Sequence, residues 1–206
     1  MYSSRKSASE IMRTFNSFAF LFLERGTSVE KRKTTTRDMT QGNIVKQVLL
    51  FALPLLDGDS EIRMLSKLES KPYVDLTIAC LRHFGIAVQE TEQGYAVAGG
   101  QQYHACDLTV EGDYSQAAFF CVANALGSDI TLTNLNPESV QGDKKIVEIV
   151  REMCYNREQG LPAGFTVDAA DIPDLVPILA VLATFGTAPS SITGAHRLAI
   201  KESDRL

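Results

Sequence analysis

Short apolar strands alternate with apolar helices along most of the chain, and this alternation constrains the fold more than any other feature of the sequence. The first unit opens with a helical run, Ile44 to Leu56, that leads through Asp57-Gly58-Asp59 to a strand, Glu61 to Leu65. A helix from Tyr73 to Phe84 follows, then strands Ile86 to Glu90 and Gly94 to Ala98. In the second unit a strand, Asp107 to Val110, precedes a helix, Ser115 to Leu126; a strand, Asp129 to Asn134, and a helix, Lys144 to Met153, come next. The third unit has a strand, Phe165 to Asp168, a helix, Pro173 to Phe185, and a strand, Ser191 to Thr193. Gly85 and Gly127 stand where helices should stop, and Pro173 stands where a helix can start. Repetition of this kind predicts α/β layers joined by crossovers. After Met153 a regular repeat would need two strands, but Asn156, Gly160, Pro162 and Gly164 make that stretch turn material.

The bulk properties remove several function classes. With 206 residues there is room for one large or two small domains. A net charge of −5 argues against a nucleic-acid binder, which needs a basic face. The four cysteines include no C-x-x-C pair and there are three histidines, so no zinc site is expected; the cysteines read as reduced thiols of a cytosolic protein. The longest apolar run, Val48 to Leu56, falls far short of the roughly 18–20 residues of a membrane span. Asn16, Ser17 and Glu24 interrupt or abut the apolar patch near the start, which weakens a signal-peptide reading. Residues 1–43 hold the charge cluster Glu30-Lys31-Arg32-Lys33 and the polar run Thr34 to Asp38, and are expected to form a poorly ordered or foreign segment with one possible short helix.

Five phrases then stand out in order: Leu68-Glu69-Ser70-Lys71-Pro72-Tyr73-Val74-Asp75, Val110-Glu111-Gly112-Asp113-Tyr114-Ser115-Gln116-Ala117-Ala118, Ser139-Val140-Gln141-Gly142-Asp143, Asp171-Ile172-Pro173-Asp174 and Lys201-Glu202-Ser203-Asp204-Arg205. Together they resemble the middle of the EPSP synthases, from about Phe51 to Leu206. The resemblance implies the enolpyruvyl transferase fold, two halves each of three βαβαββ units, here incomplete. Residues 44–106 would belong to one half and 107–206 to the other. The implied reaction moves the enolpyruvyl group of phosphoenolpyruvate to the 5-hydroxyl of shikimate 3-phosphate, with loss of phosphate through a tetrahedral intermediate. No metal or organic cofactor is implied. The implied setting is cytoplasmic, with a monomer expected and with the two anionic substrates as partners.

The resemblance also assigns roles. Both substrates are anions, so the site needs cations and fixed donors, with a base for the attacking hydroxyl and an acid for the methylene carbon. Ser70, Tyr73, Asp174 and Lys201 match the contacts to shikimate 3-phosphate, and Arg205 matches a phosphoenolpyruvate contact. Asp174 and Glu202 match the proton-handling residues. Each has a plainer reading from pattern alone. Ser70 sits where a helix cap belongs, before Pro72. Asp174 is a first-turn acid of the kind that complements a helix dipole. Lys201, Glu202 and Arg205 form a mixed-charge cluster of the kind usually found in solvent, although on a helix Lys201 and Arg205 would share one face. Gly112 and Gly142 read as turn formers.

Several family motifs do not occur: the early Lys-Ser pair and arginine, Asn-x-Gly-Thr, Ser-Ser-Gln, the late Asp-His-Arg and the C-terminal lysine. The chain therefore reads as a fragment of reduced or no activity. Residues 38–56 also resemble the opening of a MATE-type multidrug transporter, and Phe51-Ala52-Leu53-Pro54-Leu55-Leu56 suits either family, which suggests a join at that hexapeptide. Two other readings stand beside this one: a related transferase acting on UDP-N-acetylglucosamine, and a non-catalytic anion-binding or assembly fragment.

Overall fold

The computed structural model describes residues 43–64 and 71–200, which fall into two units, 43–64 with 74–109 and 71–73 with 110–200. In the first unit, helix α1 (Asn43–Ala52) tightens into a single 3-10 turn, Leu53–Leu55. The reason is Pro54, which has no N–H to continue the α-helical ladder. The expected helix to Leu56 is thus shorter as an α-helix, and Leu56 is already extended.

Strand β1 (Ser60–Arg63) pairs antiparallel with β3 (Gly94–Val97), which pairs antiparallel with β2 (Gln89–Thr91), giving the order β1-β3-β2. The register sets Ile62 opposite Tyr95, and both are buried. Gly94 is required where β3 begins: its φ is +148°, and a Cβ there would stand 2.1 Å from the Ile62 carbonyl oxygen. Helix α2 (Lys71–His83) lays Val74, Thr77 and Leu81 on one face at helical spacing. Val74 and Leu81 join Leu50, Leu53, Ile62, Ile86, Tyr95 and Val97 in the core of this unit. The helix ends as expected before Gly85, whose N–H returns to the Arg82 carbonyl while that of Ile86 returns to Leu81. Past the hairpin, the Gln101 amide spans the chain: it accepts from the Ala87 N–H at 2.7 Å and donates to the carbonyls of Ala87 and Ala98.

The second unit is mostly helical. Helix α3 (Tyr114–Ala125) is capped by Asp113, which accepts from the Ser115 N–H at 2.8 Å. A 3-10 turn, Gly142–Lys144, leads into α4 (Lys145–Glu158). Strand β4 (Thr166–Asp168) pairs in parallel with β5 (Ser191–Thr193), and between them run the 3-10 turn Pro173–Leu175 and helix α5 (Val176–Ala183). Parallel strands need such a crossover. The core here gathers Ala118, Val122, Ile146, Met153, Leu179 and Leu182 with Val167 from the sheet. Leu198, in the short helix His196–Ile200, is also buried.

Two predicted strands are not strands. Asp107 to Val110 and Asp129 to Asn134 run as irregular chain. Side chains occupy the backbone groups that a ladder would use. The Asn124 amide takes both the N–H and the carbonyl of Ile130, each at 2.8 Å. Asn134 adopts a φ of 64°, outside the β region, and its amide donates to the Val110 carbonyl. The nearest backbone bond, Gly112 N–H to the Asn134 carbonyl, starts two residues beyond the first segment. The turn material after Met153 departs from expectation in the other direction, since α4 continues to Glu158. Among the described residues no helix is long and apolar enough to cross a membrane.

Candidate active site

The site grows from three short segments of the second unit: residues 71–73, the turn Gly142–Lys144 and the stretch Asp171–Leu175. Pro72 and Pro173 each sit at a helix start, which fixes the backbone from which Tyr73 and Asp174 extend. The Tyr73 hydroxyl donates to Asp174 Oδ2 at 2.7 Å. The same hydroxyl lies 3.2 Å from Asp143 Oδ2. A phenol has one proton to give, so the two carboxylates compete for that proton. The shorter contact is the one to Asp174.

Close approach of these segments depends on Gly142. A Cβ at that position would lie 2.9 Å from the Pro72 ring and 3.1 Å from the Asp171 carbonyl oxygen. Asp171 in turn accepts from the Lys71 N–H at 3.3 Å, one of the donors that a helix start leaves open. Both acids of Asp171-Ile172-Pro173-Asp174 thus serve the stretch 71–73.

Burial pushes the Tyr73 phenol well above its ordinary range, and the bond to Asp174 and the negative charges of Asp143 and Asp174 push it the same way. Tyr73 therefore stays protonated and acts as a donor. Two carboxylates around one phenol can hold and move a proton.

Beside this cluster lies a second network. Glu111 receives the Ser139 hydroxyl, the Gln141 amide at 2.8 Å and the Asn136 amide at 2.8 Å. Burial pushes the Glu111 carboxyl up, but those three donors and the Lys144 charge outweigh it and hold it below its ordinary value. Gln141 also donates to the Gly112 carbonyl and accepts from the Tyr114 N–H, so the network ties Ser139-Val140-Gln141-Gly142-Asp143 to Val110-Glu111-Gly112-Asp113. It fixes the turn that carries Asp143. Among the described residues no group of three or more His, Cys, Asp and Glu side chains converges as metal ligands.

Of the residues expected from the sequence, Tyr73 and Asp174 are brought together. Ser70, Lys201, Glu202 and Arg205 lie outside the described residues. Asp143 was not expected. Its one signal was membership of Ser139-Val140-Gln141-Gly142-Asp143, a phrase that carries the family resemblance but in which only Gly142 has an assigned role, as a turn former.

Comparison with known proteins bears on what this site belongs to. The family model described as EPSP synthase (3-phosphoshikimate 1-carboxyvinyltransferase) matches residues 28–206. A Clostridium novyi protein named 3-phosphoshikimate 1-carboxyvinyltransferase is 43% identical over 179 residues, covering 81% of this chain and 41% of that protein. Proteins of the same name from Clostridium kluyveri and Clostridioides difficile are 44% and 40% identical, covering 77% and 81% of this chain and 39% and 41% of their own lengths. The chain spans about two fifths of the length of the curated relatives it matches.

Proposed function

The chain belongs to the EPSP synthase family, and from that premise we propose that it serves enolpyruvyl transfer from phosphoenolpyruvate to the 5-hydroxyl of shikimate 3-phosphate. The proposed setting is cytoplasmic, with those two anions as its partners. The observation that carries this reading is the 2.7 Å bond from the Tyr73 hydroxyl to Asp174, two residues far apart in sequence that the family resemblance separately assigns to shikimate 3-phosphate.

In the proposed mechanism Asp174 takes the proton of the 5-hydroxyl as its oxygen bonds to the central carbon of phosphoenolpyruvate. Tyr73 lays its ring against the shikimate ring and steadies Asp174 by its hydrogen bond. Glu202 supplies a proton to the methylene carbon. Lys201, Arg205 and Ser70 hold phosphate and carboxylate groups, which as dianions or anions need charged or strongly polar donors. Loss of phosphate from the tetrahedral intermediate, together with a proton from its new methyl group, re-forms the double bond and completes the transfer. Residues 44–106 and 107–206 are proposed to be parts of the family's two halves.

The test is phosphate release by the purified chain given both substrates, beside a full-length relative. Release abolished by Asp174→Ala supports transfer by this chain. Binding of shikimate 3-phosphate with no release supports the anion-binding alternative, and a folded sample that neither binds nor releases overturns both. The foreign-segment reading of residues 1–43 is tested separately, by sequencing source DNA across 38–56; the family match overlaps that segment from residue 28.

A further inference from the structure

We propose that Asp143 is a positioning residue of the site: it shares the Tyr73 hydroxyl with Asp174 and so sets the proton affinity of Asp174. The inference rests on the reading of Asp174 as the group that takes the hydroxyl proton.

The geometry is the argument. One phenolic proton stands between two carboxylates, 2.7 Å from Asp174 and 3.2 Å from Asp143. Asp143 is 5% exposed, so water screens its charge poorly. A second negative charge on the same hydroxyl makes it harder for Asp174 to lose its proton, and any donation toward Asp143 weakens the bond that holds Asp174 ionised. Asp143 thereby moves Asp174 toward the proton affinity that a base working on an alcohol needs. Gly142 and the Glu111 network hold the turn so that Asp143 keeps this position.

Among the described residues the packed elements carry further titratable groups, with Lys71 and Asp75 flanking Tyr73 on α2. Asp171 binds the Lys71 N–H. The Lys144 ammonium donates to the Pro137 carbonyl at 2.8 Å. Helix α3 brings Tyr114, whose hydroxyl donates to the Asn136 carbonyl, and Cys121, which packs against the core. Helix α5 brings no titratable side chain. The first turn of α4 brings Lys145 and Glu148, which line an open cleft with Pro162, Phe165 and Pro189.

The test is a carboxyl titration of the full chain labelled with carbon-13 at aspartate, with Asp174 assigned through Asp174→Asn. In Asp143→Asn the Asp174 midpoint is expected to fall by about one pH unit, since a like charge is removed and the hydroxyl is left to Asp174 alone. In Tyr73→Phe it is expected to rise, because both charges remain and the donor is gone. A purely structural Asp143 would leave the midpoint unmoved in a folded Asp143→Asn protein, and that result, or a rise, overturns the proposal. The unsubstituted chain gives a reading even where a variant fails to fold. Coupled carboxylates each show both titration steps, whereas two independent single steps overturn the proposal. No substrate is needed, so failure of this inference and failure of transfer activity are seen separately.

Discussion

The two units hold themselves together by different means. The first relies on the backbone: three antiparallel strands in unbroken register, with Gly94 letting the Ile62 carbonyl come close. The second has two short parallel strands, and much of its irregular chain is held by side chains bonded to backbone, as with Asn124 on Ile130 and Gln141 on Gly112 and Tyr114. A backbone ladder tolerates changes of side chain but not of conformation. A side-chain network is the reverse: it places particular carboxylates, and any one substitution can release them. It is the second unit that carries Tyr73, Asp143 and Asp174.

Substitutions can break or sharpen this contrast. The largest loss is expected where the two units are alike, in their apolar cores. Leu81→Ala and Leu179→Ala, each at a fully buried site, should each cost about 2–5 kcal/mol in urea unfolding. A much smaller loss at Leu179 would mean that the helical core is loosely packed. Next, Gly94→Ala should cost about 1–3 kcal/mol, because it forces a side chain into a positive-φ position against backbone. Gly142→Ala should cost less, about 1 kcal/mol, because the obstacle includes the proline ring and the turn can shift. Melting curves of the pair check the order, and a reversed order would break the contrast. Asp113→Ala should remove about 1 kcal/mol by uncapping α3, read as lost helical ellipticity and a lower melting temperature.

The smallest effect concerns acid. The folded Glu111 carboxyl sits below its ordinary value of 4.5, so its contribution is fully present above that pH and is lost as pH falls through the lower folded value. Glu111→Gln should therefore flatten the acid limb of the stability curve below about pH 4.5 and lower the plateau above it. An unchanged acid limb would mean that Ser139, Gln141 and Asn136 hold this carboxyl no better than water does.

The same contrast explains what the sequence could disclose. Helices α2 and α3, the start of α4, and strands β1, β3, β4 and β5 lie close to the ranges expected, because period and stop signals are local properties of the chain. The segments 107–110 and 129–134 have the apolar content of strands, but strand pairing depends on which groups compete for the backbone. Nothing in the local pattern announces that Asn124 will take Ile130. Tyr73 and Asp174 were legible through the phrases that contain them. Asp143 was not, because an acid after glycine looks like any turn residue until the fold sets it beside a phenol.

The parallel pairing of β4 with β5 has a consequence in time. In the first unit, β2 and β3 are near neighbours along the chain and can find their register by closing a tight hairpin, a microsecond event. Strand β4 can do nothing comparable. Its partner lies beyond the Pro173–Leu175 turn and α5, so Val167 can meet Ile192 only by closing that longer stretch of chain. The turn bearing Asp174 lies inside that crossover. The segment bearing Asp174 is thus expected to gain its structure after the β2–β3 hairpin, and its amides to gain protection later than those of the hairpin in pulsed hydrogen exchange.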